Sequence, residues 1–540
     1  MGLLSSSMEA ELGTLSIRHP MGRRLAKLPP GVLAVIAFGA LLLCIQSLYR
    51  GHLGSVAEYD DGVYFGAALN LVHGIFPYRD FTFLQPPLIA AWLAPPALLA
   101  SVFGTRVAME AARVLVDLVT LGNVVLVALL LRTRSKTAMT VGTAAMALAI
   151  GSLQASQTVL IEPFLVTLCL CATLALLDGE AITSRHWRIW LAGILFGLAG
   201  ATKLWAVFPM VVALGILWRR EWPQRWRLVG GTALGFALGV APFALLAPRA
   251  FWRDVLVTQA LRGPSGEILG LRLADLSGLS LLSDLESAHP LAGGIAIAIL
   301  YLAGLWALTK MVRSRRMRSM GDLEKLALVS TVTVGLALLI APSYYYHYGA
   351  FLAPYAAISA ACVVRLPQRW MEKLTPAAAA KLTFAGVGVV FAVVGSSDIA
   401  AATSIIENLK LAPAATRAMA AQGCVLTDAP AITILANHFT GDLVGCPAVV
   451  DWNGVERAFV HGVSGEPPDN SDTLLQATIL GWLKVSNVVV LGNTDAGIGP
   501  AAQSYLEHLF LARFYASPGI TIYRRRSLLA VSSSHLGRHF

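Results

Sequence analysis

The sequence predicts a polytopic α-helical membrane protein that ends in a small α/β domain, and three observations predict it. The chain is 56% apolar and only 13% charged, whereas ordinary soluble domains are about a quarter charged. Apolar segments recur from residue 31 to residue 397, many of them close to the roughly 20 residues that a crossing helix needs. Lysines and arginines fall in bursts between alternate segments, the pattern of loops kept on the cytoplasmic side. A net charge of +10 would suit nucleic acid only with basic residues gathered on one folded face. Here they punctuate apolar runs, so nucleic acid is not an expected partner.

Residues 1–30 read as a cytoplasmic tail. Arg18, Arg23, Arg24 and Lys27 precede an apolar stretch with no small-residue cleavage pattern after it, so 31–49 is a retained first span rather than a signal peptide. Further spans are expected near 112–131, 138–154, 158–177, 189–202, 204–218, 228–247, 291–310, 324–341, 349–364 and 380–397. With the N-terminus inside, the basic clusters that begin at Arg132, Arg185, Arg219, Lys310 and Arg365 all fall inside. About eleven spans then place the chain beyond residue 398 outside. This is the layout of a multi-pass protein of the plasma (inner) membrane with an extracytoplasmic C-terminal domain.

One apolar segment, 86–103, breaks the parity, because counting it would invert every later loop. Its Pro95 and Pro96 disrupt helical hydrogen bonding that lipid cannot replace. It reads as interfacial or re-entrant within a first outer loop of residues 50–111; an ordinary kinked span is the alternative. The transmembrane module therefore covers 31–397.

Residues 398–540 change character. "CVLTDAP", "CPAVVDW" and "VSNVVVLGN" read as short strands, and "SDTLLQATILGWLK" and "GPAAQSYLEHLFLARF" as helices. Cys44, Cys169, Cys171 and Cys362 lie in apolar segments and suit packing. Cys424 and Cys446 are the two in the exposed domain. An oxidising compartment would permit a disulfide between them.

The first outer loop gathers charge within a sparsely charged chain: "SVAEYDDGVYFGAALNLVHGIFPYRDFTFLQPPL", residues 55–88, holds Glu58, Asp60, Asp61, Arg79 and Asp80. An acidic pair after the first span, an aromatic and small-residue helix, "PYRDF", "QPPL" and the later "GLAGATK" together resemble the GT-C superfamily of integral-membrane glycosyltransferases. The nearest likeness is to the bacterial branch related to protein O-mannosyltransferases and lipid A aminoarabinose transferases. The resemblance implies an enzyme that takes a sugar, a hexose or pentose, from a polyprenyl-phosphate donor. It would transfer it with inversion to an extracytoplasmic acceptor: a glycan, a lipid or a protein.

The chemistry asks for the same residues independently. An acceptor hydroxyl needs a positioned carboxylate to take its proton, which Asp60 or Asp61 would supply; the duller role for either is to cap the following helix. A departing lipid phosphate needs preorganised positive charge, for which Arg79 and Lys203 are candidates. Arg79 with Asp80 also fits a local surface pair, and Lys203 fits a side chain snorkelling to headgroups. Glu162, at the outer start of a span, and Glu58 are supporting candidates. Asp60, Asp61 and Glu162 would hold a divalent cation, Mg or Mn, if the fold brings them together.

"SYYYHYGAF", residues 343–351, suits an aromatic interface belt, with Tyr345 and His347 as sugar- or phosphate-contacting alternatives. "GFALGVAPFALLAP" reads as a helix-packing face. A transporter or lipid flippase would need inverted repeats and midplane charges, and the sequence displays neither. It and a non-catalytic membrane scaffold are the alternative readings.

Overall fold

The computed structural model describes residues 28–526 apart from 219, 265–266, 279, 314–319, 364–410, 421–422, 460–471, 493–496 and 516–518. The expected span at 380–397, the tail before residue 28 and residues 398–410 lie outside the described residues. Every other expected span falls on helix. In chain order these are α1 (Pro30–Leu48), α4 (Ala100–Leu130), α5 (Lys136–Ala147) with α6 (Ile150–Ser156), α7 (Glu162–Leu176), α8 (His186–Thr202), α9 (Val207–Leu217), α10 (Trp222–Ala244), α11 (Pro290–Arg313), α12 (Asp322–Ile340) and α13 (Gly349–Val363). Between α1 and α4 the outer loop forms α2 (Tyr59–Val72) and α3 (Leu88–Leu98).

Among the described residues four helical segments are long and apolar enough to cross a membrane, Pro30–Gly54, α4, α10 and α12, and α5 with α6 makes a fifth bent by 48°. Glu162–Leu176, Leu204–Leu217 and Pro290–Trp306 are shorter apolar stretches beside them. One difference from the sequence reading stands out, at the start of α4. Helix α4 begins a turn or more before residue 112, after a kink at Gly104, whose φ of +84° favours glycine. The segment 86–103 is not one helix: its α3 has 11 residues, about 16 Å of length at 1.5 Å per residue, too short to cross.

Helix direction puts the basic loops at one end of the bundle. Arg134 joins Glu180 at 2.8 Å and also Glu324, Asp322 accepts from the Ile182 amide at 2.9 Å, and Arg220 lies 3.6 Å from Asp322. Glu162, Lys203 and residues 343–348 sit at the opposite termini of the same helices. The tightest helix pair is α8 with α10. A Cβ on Gly197 would stand 2.2 Å from the Thr232 carbonyl oxygen, and one on Gly235 would stand 2.1 Å from that of Ile194. Glycine alone lets the two backbones touch, as small-residue faces do in membranes.

The C-terminal region contributes a four-stranded sheet of β1 (Cys424–Thr427), β2 (Ser486–Leu491), β3 (Phe510–Tyr515) and β4 (Ile520–Arg525), in the order β1-β2-β4-β3. Strands β1 and β2 are parallel and the other pairs antiparallel. Helices α14 (Pro430–Leu435), α15 (Trp452–Phe459), α16 (Thr473–Val485) and α17 (Pro500–Leu509) accompany it. Asp472 caps α16 by accepting from the Leu474 and Leu475 amides. Cys424 and Cys446 are joined in a disulfide.

The tail corrects the sequence reading in two places. "CPAVVD" is loop rather than strand, with Trp452 opening α15, and "FLARFY" leaves the expected helix to form β3. Both follow from tertiary pairing: β3 has β4 as its partner across Gly519 at φ +82°, whereas Val450 is withdrawn from the sheet into the core of the outer loop.

That core decides how the tail sits. Ile434, Leu435, Phe439 and Val450 pack in one cluster with α2, α3 and the outer end of α4. Thr105 donates to the Ile434 carbonyl at 2.6 Å, and the Arg106 amide donates to Asn437 at 2.9 Å. Helix α2 is buried at every position from Asp61 to Asn70. The tail approaches closely over Gly62, where a Cβ would meet the Ala431 nitrogen at 2.2 Å.

Candidate active site

The four residues that open α2 are each held by a different part of the molecule. Glu58 accepts from the Tyr346 hydroxyl at 2.8 Å. Burial beside Asp60 and Asp61 lifts its carboxyl above the usual range, against that hydrogen bond. Tyr59 donates to Asp451 of the tail at 3.1 Å and accepts from the Asn453 amide at 3.0 Å. Asp61 is fully buried, 2.6 Å from Arg113 of α4, and also accepts from Thr158. Asp60 differs: it is partly exposed and takes a 3.0 Å bond from Tyr64, a neutral donor on its own helix.

Neither aspartate is the cap. Glu58 holds that position without a side-chain bond, and both aspartates lie in the first turn, where negative charge favours the helix dipole. Arg113 explains why Asp61 is sealed away. It is 1% exposed and donates to the His52, Leu53 and Ser55 carbonyls at 3.1, 2.6 and 2.8 Å, as well as to Thr158 and Asp61. One buried guanidinium thus ties the end of the first span to α2 and to the turn before α7. Asp61 is committed to Arg113 and Thr158, and the freer carboxylate is Asp60.

A second group assembles from three distant segments. Lys203, at the C-terminus of α8, reaches Glu162 in the first turn of α7 at 2.5 Å, and His347 Nδ1 lies 3.1 Å from the other Glu162 oxygen. Lys203 also sits 4.2 Å from the Trp205 ring centre and 4.1 Å from that of Tyr348. Burying these charges is tolerable because each has an opposite charge, a hydrogen bond or an aromatic face against it.

Lys203 and Tyr348 line a cavity of about 150 Å³ whose wall also includes Gln85, Gln259, Arg262 and Ser343. Arg262 donates to the Tyr345 hydroxyl at 2.8 Å and lies over that ring. The bond from Tyr346 to Glu58 joins the turn that carries Asp60 to the loop whose Ser343 and Tyr348 line the cavity. The cavity therefore carries two cations.

Among the sequence candidates, the fold unites Glu162, Lys203 and His347, and brings Tyr345 to the same cavity through Arg262. It does not bring Arg79 there. Arg79 makes a bidentate pair with its exposed neighbour Asp80, at 2.9 and 2.7 Å, and donates to the Gly74 carbonyl. Asp80 in turn accepts from the Phe76 amide at 2.6 Å. The pair braces the turn in which Tyr78 adopts φ +67°.

The fold also keeps the three carboxylates proposed for Mg or Mn apart, with Asp61 on Arg113 and Glu162 on Lys203. No group of three or more His, Cys, Asp or Glu side chains among the described residues is placed to hold a metal ion. Sequence reasoning missed Arg262, Arg113 and Asp451. Only Arg113, an arginine inside an apolar helix, carried a signal of its own.

Residues 83–342 match the model of glycosyltransferase family 87. The structure of ArnT from Cupriavidus metallidurans bound to undecaprenyl phosphate superposes with a TM-score of 0.53 at 13% identity, over 91% of this chain and 97% of that one. The apo form of the same protein gives 0.49 at 14% identity over the same shares. The Archaeoglobus fulgidus oligosaccharyltransferase gives 0.48 at 12% identity, over 92% of this chain and 74% of its own. No curated protein matches in sequence.

Proposed function

We propose that this protein transfers a sugar from a polyprenyl-phosphate donor to a hydroxyl of an extracytoplasmic glycan, lipid or protein, with inversion at the anomeric carbon. The observation that carries the reading is the cavity bearing Lys203 and Arg262, with the turn of Asp60 tied to the cavity's 343–348 loop by the Glu58–Tyr346 hydrogen bond. The undecaprenyl phosphate bound to ArnT, a structure of the same fold, supports a lipid-phosphate donor. The site and tail face the extracytoplasmic side of the inner membrane, and the basic loops with the N-terminus face the cytoplasm, in keeping with the charge rule.

Asp60 accepts the acceptor hydroxyl's proton as that oxygen bonds to the anomeric carbon. The bond from that carbon to the phosphate oxygen breaks on the opposite face, and its electron pair leaves with the lipid phosphate. A single displacement inverts the centre. Lys203 and Arg262 stabilise the departing phosphate, Glu162 and His347 hold Lys203 in place, and Asp61 with Arg113 fixes the turn that carries Asp60.

Deleting the gene and comparing extracytoplasmic glycans by mass spectrometry identifies the product, which plasmid-borne variants must then restore. Asp60→Asn is expected to lower the product's rate of formation by roughly a hundredfold or more, with expression unchanged. Arg262→Leu should weaken binding of undecaprenyl phosphate to the purified protein, while Arg79→Met leaves it unchanged. Wild-type product from Asp60→Asn rejects the assigned base, and unchanged lipid binding by Arg262→Leu rejects the phosphate site.

A further inference from the structure

We infer that the C-terminal domain is a working part of the transfer site: Asp451 and the Asn453 amide hold Tyr59, and through it they position the neighbouring Asp60. The inference rests on the reading of Asp60 as the base.

The contact is a built cradle rather than a chance touch. Asp451 Oδ1 receives both the Tyr59 hydroxyl at 3.1 Å and the Gly454 amide at 2.8 Å. The Asn453 amide closes on the same hydroxyl from the other side at 3.0 Å. Gly454 lies close against the carboxylate, where a Cβ would stand 2.3 Å from Asp451 Oδ2. Asp451 is 8% exposed, and an aspartate so buried is costly without partners. Burial and the nearby Asp60 charge push its carboxyl up to about 6, so the fold tolerates a second carboxylate beside the base.

Tyr59 is the only one of the four residues 58–61 whose side-chain bonds, as described, go to the tail. Glu58 and Asp61 fix the stretch from the loop at 343–348 and from α4. The tail supplies the third restraint on the short backbone that carries Asp60. A carboxylate that must meet an acceptor oxygen within hydrogen-bond distance loses roughly a hundredfold in rate for a displacement of about 1 Å.

The test uses the full chain. Tyr59→Phe, Asp451→Leu, Asp451→Asn and Asp60→Asn are compared in the deletion strain for product formation. As purified proteins they are compared for undecaprenyl phosphate binding and for amide hydrogen exchange across 58–66 and 430–437. The expected result is a ten- to hundredfold loss of product rate for Tyr59→Phe and Asp451→Leu, with lipid binding unchanged and exchange raised in 58–66 but not in 430–437. Asp451→Asn, which keeps an acceptor for the Tyr59 hydroxyl, should recover most of the rate. Normal product from Tyr59→Phe and Asp451→Leu, with Asp60→Asn inactive, overturns the inference and leaves the base assignment standing. Normal product from Asp60→Asn removes both. A rise in exchange through 430–437 in every Asp451 variant, with Asp451→Asn no better than Asp451→Leu, reduces the contact to a fold contact and likewise overturns it.

Discussion

Lys203 Nζ stands 2.5 Å from Glu162 Oε1 across 41 residues of sequence, with both side chains buried. Removing one partner of such a pair strands the other charge in a low-dielectric site, at a cost of about 3–5 kcal/mol. Lys203→Met should therefore lower the thermal midpoint of the detergent-solubilised protein sharply. The double variant Lys203→Met with Glu162→Gln should recover most of that loss without regaining undecaprenyl phosphate binding. Recovery of binding in the double variant would show that the lysine serves the fold alone.

Asp60 and Asp61 separate by the same measurement. Asp61→Asn deprives the buried Arg113 of its carboxylate and should cost about 3–5 kcal/mol of stability. Asp60→Asn removes a partly exposed group bonded to Tyr64 and should leave the melting temperature within a degree or two while abolishing transfer. A reversed pattern would exchange the roles given to the two residues.

Asp451 makes stability depend on pH. Its folded value of about 6 lies above the ordinary 3.8, so the folded state holds the proton more tightly than the unfolded one. The contribution is complete below pH 3.8 and is lost as pH rises through 6, with a size on the order of 2–3 kcal/mol. Scanning fluorimetry of the full chain between pH 4 and 7.5 should show a downward component that disappears in Asp451→Asn. An identical slope in the variant would assign it to another group.

The glycine seam between α8 and α10 is also testable. Gly197→Val places a methyl-bearing carbon against the Thr232 carbonyl and should cost at least about 1–3 kcal/mol through overpacking. Gly215 in α9 is the control, since a Cβ there meets nothing within 4 Å. Gly215→Ala should be neutral or stabilising by up to about 1 kcal/mol, from helix propensity alone. Thermal unfolding of both in one detergent decides the matter.

The sequence by itself determined the membrane class, the helical segments from 31 to 364, the gathering of basic loops between alternate segments and the acidic cluster of Glu58, Asp60 and Asp61. These are carried by local composition and spacing: apolar runs of spanning length, lysine and arginine between them, and an acidic turn opening a helix. It also named Glu162, Lys203 and His347 as separate candidates.

Tertiary structure alone decided that those three meet and that Asp61 is spent on Arg113. It also decided that Arg262, rather than Arg79, reaches the cavity with Lys203. The tail's contact with Tyr59 was equally invisible, because "CPAVVDW" reads as a strand until Val450 is drawn into the outer-loop core and Asp451 is set on Tyr59. The physical reason is the same in each case. Whether a polar group is free or paired depends on which partner folding brings within about 3 Å, and the partners of Glu162, Asp61 and Asp451 lie 41, 52 and 392 residues away in this chain.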